Sequence, residues 1–308
     1  MNKLDAMEIF VRAVERGSFS AVARELHSSQ PNVSKQIGAL EAALGGRLFV
    51  RSTRKLALTD EGERYYAECR QILAAIDTAE HSFKTGREEI AGSLRVASSV
   101  SFGRSWLAPR IGGFLARHPG IRLHLQLSDR NEDIVGEGID VALRFGALRD
   151  SNLVSRNLGD MHRAVFATPG YLAQHGTPAE PADLLRHNCL VFTLLPSVNT
   201  WSFTHIGKKK GKEMTVAVGG NASSNSSEAI RAMVLAGLGI SLSPLWQFEE
   251  DLEAGRVVRL LPEYLPPPLA IHAVLPNRRQ SARVAAFVDY VEQAMGNFGK
   301  RAGQNKTA

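Results

Sequence analysis

From Asp60 to about Glu88 the chain has no proline, and its only interior glycines, Gly62 and Gly86, stand near the two ends. Positions 62, 65, 69, 72, 76, 79 and 83 read Gly, Tyr, Cys, Ile, Ile, Ala and Phe. This alternating spacing of three and four is an apolar heptad seam sustained for about three heptads. A helix of that length reaches on the order of 40 Å. Its stripe needs a covering surface, most simply the same helix of a second subunit. Tyr65, Cys69, Ile72, Ile76 and Phe83 are the residues expected to meet there. Packing on the chain's own body is the alternative, disfavoured because the helix would outrun a small head.

The helix divides the chain unequally, and charge follows the division. Residues 1–59 carry nine Lys/Arg against five Asp/Glu, and residues 60–90 carry four against eight. A basic head on an acidic connector suggests a small anion-facing module. The net charge of +6 over 308 residues is too mild to imply nucleic acid by itself. Cys69 and Cys189 have no metal-ligand spacing, so neither a disulfide framework nor a zinc finger is expected, and Cys69 reads as a small core residue. Asp5 and Glu8 precede any long apolar run, unlike a signal peptide. The most apolar stretch, Ala232 to Leu245, falls short of the ~20 residues that span a bilayer. The expectation is a soluble cytoplasmic protein with no membrane partner.

Within the head, Leu4, Met7, Phe10, Val11 and Val14 recur at helical spacing, and Gly17 ends that helix. Ser18 can cap a second helix with Phe19, Val22, Ala23 and Leu26 inward. After His27, Ser28 or Ser29 can cap a third, with Pro31 in its first turn, Val33, Ile37, Leu40 and Leu44 inward, and Gly45-Gly46 at its end. Gln30, Asn32, Ser34, Lys35 and Gln36 are left outside. Two helices joined by a tight turn, the second polar and cationic at its start, form a helix-turn-helix. Amide, hydroxyl and ammonium groups near that start can reach base edges and phosphates in a major groove: Gln30 suits adenine, Lys35 guanine or phosphate. The runs Leu48-Phe49-Val50 and Leu56-Ala57-Leu58 flank Arg51, Ser52, Thr53, Arg54 and Lys55, a hairpin tip suited to phosphates.

The segment SFSAVARELHSSQPNVSKQIGALEAALGGRLFVRSTRKLALTDEGERYY resembles the winged helix-turn-helix of LysR-type transcriptional regulators, down to the T-x-x-G start of the long helix. The resemblance places base and phosphate contacts at Gln30, Pro31, Ser34, Lys35, Arg51 and Arg54. Lys35 stands where the family often has Arg, which favours a phosphate contact. The resemblance also implies a linker helix paired between subunits, double-stranded DNA with a dyad operator as partner, and a dimer or tetramer.

Beyond Gly92 the pattern alternates. Leu94–Ala97 begins a strand, Ser98–Gly103 turns into a helix carrying Leu107, Ile111, Phe114 and Leu115, and Ile121, Leu123, Leu125 and Leu127 form a strand. A helix over 132–138, strands at 140–145, 163–168, 190–192, 215–218, 239–242 and 269–275, and helices at 169–175, 228–236 and 282–295 complete an open α/β body. The family resemblance, weaker here in FLARHPGIRLHLQLSD and DVALRFG, implies a periplasmic-binding-protein-like effector domain. The expected organisation is a head at 1–59, a linker helix at 60–90 and a body at 91–308. The body would have subdomain I at 92–162 and 268–298 and subdomain II at 163–267, with ligand between them.

Ligands in open α/β sheets sit beyond the carboxyl ends of strands. That singles out Ser98, Ser99, Ser101 and Phe102, then Ser128 with Asp129, then Phe145 and Gly146. Free N–H groups and hydroxyls in the turn 99–103 suit a small anion such as a carboxylate, with Arg104 adding charge. The polar run Asn221–Ser227 could supply facing donors or be a capped loop. Lys208–Lys212 fails the P-loop spacing and reads as a solvated hairpin tip. No G-x-S-x-G, H-E-x-x-H or complete G-x-G-x-x-G occurs, so no catalytic site, metal or cofactor is expected. Two other readings stay open: an enzyme with an accessory DNA-binding head, and a small-molecule binder whose head only dimerises.

Overall fold

The computed structural model describes residues 2–50, 56–85, 90–130, 133–148, 153–195, 198–206, 211, 213–276 and 280–296, with the side chains of 78 and 81–85 outside that set. Three helices open the chain: α1 (Lys3–Arg16), α2 (Phe19–Glu25) and α3 (Gln30–Leu44). The side chains of Asn2, Ser18 and Ser29 accept the amides of Leu4, Ala21 and Asn32, closing orphan donors at each start. Gly17 and Gly45 end α1 and α3 with φ of +60° and +72°, left-handed caps that favour glycine.

Phe10, Val22, Val33, Ile37 and Leu40 form the head core. Leu44, expected inward, is 39 % exposed, and Glu41 is buried instead. The Glu41 carboxylate accepts the amides of Leu48 and Phe49 at 2.8 and 3.3 Å and pairs with Arg47 at 2.9 Å. Such a carboxylate can be buried because its donors replace water, and it fastens the wing to α3. The wing strands β1 (Phe49–Val50) and β2 (Ala57–Leu58) pair antiparallel.

The long helix α4 (Asp60–Thr85) runs 26 residues. Thr59 caps it, its hydroxyl accepting the Gly62 amide at 2.9 Å. A Cβ on Gly62 would stand 2.1 Å from the Leu48 carbonyl oxygen, so the T-x-x-G pattern joins a cap to a close backbone approach. The heptad stripe is covered differently from the expectation. Cys69 is fully buried and Tyr65 half-buried against the head core, with the Tyr65 ring 5.6 Å from Phe10. Cys69 is not left for a partner helix, because α4 packs first on its own head, whereas Tyr65 keeps part of its surface open. Burial pushes the Cys69 thiol up to about 11, fitting a small core residue. Further along, Ala74 is buried where α4 meets Leu275, Pro276 and Val284 of the body. Ile72 stays 39 % exposed, Ile76 is half-buried, and the Phe83 side chain lies outside the described residues.

The body follows with β3 (Gly92–Ser98), α5 (Val100–Phe102), α6 (Ala108–Arg117), β4 (Ile121–Leu127), β5 (Val141–Phe145), β6 (Val154–Met161), β7 (Arg163–Ala167) and α7 (Pro169–His175). Next come β8 (Val191–Phe192), β9 (Thr200–His205), β10 (Glu213–Ala217), β11 (Ser223–Ser224), α8 (Ser227–Leu235), β12 (Ser241–Pro244) and α9 (Glu249–Glu253). The described residues close with β13 (Val258–Leu260), β14 (Tyr264–Leu265), β15 (Leu269–Leu275) and α10 (Ala282–Met295). Between α5 and α6, residues Gly103–Leu107 form a widened turn in which the Ala108 amide reaches back to the Gly103 carbonyl. Of the helix expected over 132–138, residues 134–138 form only turns.

One five-stranded sheet runs β4-β3-β5-β15-β6, with β3 parallel to β4 and β5, and β15 antiparallel to β5 and β6. Leu94, Phe102, Phe114, Val141, Ile271 and Phe287 lead its core. The intervening segment builds the sheets β12-β7-β13 and β10-β9-β14 and the parallel pair β11-β8. The chain passes between these halves twice, at His162 and at Pro266–Pro268. Strands β9 and β10 pair antiparallel on either side of the lysine run, whose Lys208, Lys209, Lys210 and Lys212 lie outside the described residues.

Candidate nucleic-acid interface and ligand cleft

On α3, Val33, Ile37 and Leu40 turn into the head, which leaves Gln30, Pro31, Asn32, Ser34 and Lys35 exposed together on its first two turns. Asn32 is partly committed, donating its side-chain amide to the Ser28 hydroxyl at 2.9 Å. Gln30 and Lys35 project from the same helix end, an amide and an ammonium within reach of one groove. Arg51, Arg54 and Lys55 lie outside the described residues.

Between the two halves of the body lies a cleft of about 1000 Å³. Seven of the residues expected at strand ends line it: Ser98, Ser99, Ser101, Phe102, Ser128, Asp129 and Phe145. Gly146 and Asn221 do not. The Gly146 amide is spent on the Ala270 carbonyl at 2.8 Å. Asn221 is locked to Asn188, its amide donating to Asn188 Oδ1 at 2.8 Å and its side-chain oxygen accepting from Asn188 Nδ2 at 2.9 Å. From the polar run it is Ser227 that reaches the cleft, while Ser226 caps α8.

The lining is chemically divided. Phe102 meets Phe145 and Trp246 edge-on at 5.0 and 5.9 Å, and Leu143, Ile230 and Leu242 extend this apolar wall. Against it stands the Ser98 hydroxyl, buried and, among the described residues, without a hydrogen-bonding partner. Asp129, also on the lining, accepts the Val100 amide at 2.9 Å and so is engaged at the helix start. Arg104, expected to add charge for a ligand, instead bridges the cleft to Glu228 at 3.0 Å. Burial works to raise the Glu228 pKa, but Arg104 and the Ser101 hydroxyl outweigh it and hold the carboxyl below its usual range.

Sequence reasoning missed Arg163 and Trp246. Arg163 opens β7 at the first passage between the halves and lines the cleft. Its Nε and Nη2 donate to the Pro267 carbonyl at 3.3 and 2.9 Å, and among the described residues no carboxylate pairs with it. Burial pushes it down to about 10. The available signal was a single cation at the head of the apolar strand Arg163-Ala164-Val165-Phe166-Ala167.

The comparisons agree with this architecture. Residues 4–63 match the bacterial regulatory helix-turn-helix protein, lysR family, and residues 87–296 match the LysR substrate binding domain. The chain belongs to the LysR family of transcriptional regulators. This LysR-type regulator is 36 % identical to the HTH-type transcriptional regulator YhjC of Escherichia coli K12, over 97 % of this chain and 99 % of that one. It is similar to the solved CrgA of Neisseria meningitidis, a LysR-type transcriptional regulator, with TM-score 0.57 and 32 % identity, covering 95 % of this chain and 99 % of that one. The full-length Vibrio cholerae virulence activator AphB gives TM-score 0.58 and 27 % identity, covering 94 % and 98 %. As in that family, the chain combines a DNA-binding head with an effector-binding body. Among the described residues no helix is long and apolar enough to cross a membrane.

Proposed function

We propose that this regulator binds a dyad operator with paired heads and that a small organic anion in the cleft modulates that binding. The observation that carries the effector class is Arg163: a half-buried guanidinium on the cleft lining whose described partner is a backbone carbonyl. A cation partly withdrawn from water with no carboxylate beside it among the described residues is a ready partner for a ligand carboxylate. The Ser98 hydroxyl offers a further donor, and the Phe102–Trp246 wall suits an apolar body on the same molecule. The unoccupied stripe positions Ile72 and Ile76 support pairing of α4 with a second subunit, and the family's tetramers extend this through the bodies. A cytoplasmic, nucleoid-associated location follows from DNA as the partner.

Recovery of sheared genomic DNA on the purified chain at physiological salt, followed by sequencing, tests the head. One enriched motif with two half-sites about a helical turn or more apart is expected. Uniform recovery that vanishes with added salt would refute sequence-specific regulation. On the enriched duplex, Gln30→Ala should lower discrimination at one base pair by about 1–3 kcal/mol. Neutralising Arg51 and Arg54 should weaken all duplexes alike and flatten the salt slope. For the cleft, small carboxylates screened by thermal denaturation should include one that raises the melting temperature. Arg163→Gln should weaken that ligand by about 2 kcal/mol, roughly thirtyfold, through loss of one charge-assisted contact. Equal affinity in the variant would move the anion site elsewhere.

A further inference from the structure

We infer that cleft and head communicate within one chain through a joint of two ion pairs, a route that rests on the cleft being the effector site. At this joint both Glu15 oxygens, on α1, face the Arg95 guanidinium of β3 at 2.9 and 3.0 Å. Arg70, on α4, donates to Asp140 Oδ1 at 2.7 Å, and the Arg95 amide donates to Asp140 Oδ2 at 2.8 Å. The Asp140 amide returns a bond to the Arg95 carbonyl at 2.9 Å. One carboxylate therefore holds linker helix and body strand together, and that strand's own side chain holds the head.

The joint is partly withdrawn from water: the side chains of Arg70, Asp140 and Glu15 keep 16, 12 and 17 % of their exposure and Arg95 34 %. Screening is weak there, and the pairs are sensitive to small displacements. Beside them Val135, from the body, packs against the head core. Gly138 has φ +67°, and a Cβ on it would come within 2.7 Å of the Tyr66 hydroxyl and 2.9 Å of Arg95 Nη1. Only glycine lets this loop approach both.

The strands make the joint a transmitter. Ile139 lines the cleft, and its neighbour Asp140 holds Arg70. Arg95 lies three residues before Ser98 on β3, and β5 runs from beside Asp140 to Phe145 on the cleft lining. Strands β3 and β5 are paired from Val96 and Val141 to Ser98 and Leu143, so they move as one unit. A ligand gripped by Ser98 and Phe145 displaces this unit, and with it Arg95 and Asp140, against Glu15 and Arg70. The angle of the head then follows the state of the cleft.

Coupling is reciprocal, so DNA at the head must be felt in the cleft even before an effector is known. The probe is the full-length chain with its enriched genomic duplex, and the readout is hydrogen exchange at the amides of 97–100 and 143–146. In the wild type, duplex should change these exchange rates at least threefold. Glu15→Gln and Arg95→Gln should each remove that response, and the double variant should lose no more than either alone, the mark of a single shared contact. If Arg95→Gln does not fold, Glu15→Gln on the head side decides alone. A wild-type response that persists undiminished in Glu15→Gln overturns the joint, as does a wild type that binds duplex with no change in the cleft. A wild type that shows no specific duplex binding overturns the regulator reading itself, and the joint with it.

Discussion

Gly62→Ala should abolish operator binding and lower the stability of the head by about 3 kcal/mol, near the upper end of what overpacking usually costs. The added methyl would stand 2.1 Å from the Leu48 carbonyl oxygen and 3.0 Å from its carbonyl carbon. Both are backbone atoms, so no side-chain rotation relieves the overlap, and the wing must swing away from α4. That motion also breaks the bonds that Thr59 makes to this strand: its amide to Leu48 O at 3.0 Å and its hydroxyl to Arg47 O at 2.7 Å. A domain of some sixty residues buries little surface and has little stability to lose. Thermal denaturation with duplex titration checks both parts. Gly38→Ala is the contrast: nothing lies within 4 Å of its added Cβ, so removing glycine from the interior of α3 should stabilise the head by about 0.5–1 kcal/mol. Equal melting temperatures for the two variants would show that the Leu48 approach does not limit the head.

The second large effect is expected at Asp251, fully buried on α9. Its carboxylate accepts Arg231 Nη2 at 2.5 Å and Arg256 Nε at 2.7 Å. Asp251→Ala leaves two arginines facing a vacated site; Arg231 is 25 % and Arg256 53 % exposed, so water takes up part of the loss, and the two charge-assisted bonds lost together cost about 2–3 kcal/mol. The consequence reaches the cleft. Arg231 also donates to the Gln247 carbonyl at 3.1 Å, and the Gln247 side chain donates to the Ser227 carbonyl at 3.0 Å. Ser227 and Ile230 form part of the cleft wall, so loosening α8 should remove the ligand response along with stability. Denaturant unfolding of the full chain should show the loss, with duplex binding by the head retained. Unaltered stability would mean that solvent already satisfies both arginines.

Much of the fold was legible because its signals are local. Caps at Ser18 and Ser29, glycine ends at Gly17 and Gly45, and clean alternation over Ile121–Leu127 each act within a few residues. What covers a buried face is not local. Periodicity marked Cys69 as buried but could not distinguish its own head from a second subunit. The burial of Glu41 had no sequence signal, because its partners, the amides of Leu48 and Phe49, carry no side-chain signature. In the cleft, strand ends found the serines, since strand polarity orders them. Asn221 was misplaced and Arg163 overlooked because both depend on how separate sheets face one another.

The position of β15 sets the order in which this protein can be born. It lies between β5 and β6, and among the described residues β6 has no other neighbour in the sheet. The cleft therefore stays incomplete until residues 269–275 have been made and have left the ribosome, some two hundred residues after the head. The head, whose core closes with Tyr65, Tyr66 and Cys69 in the first turns of α4, folds long before then. A nascent or prematurely stopped chain would thus carry a DNA reader with no sensor attached. Nonsense alleles beyond the linker helix should accordingly compete for the operator while ignoring the effector.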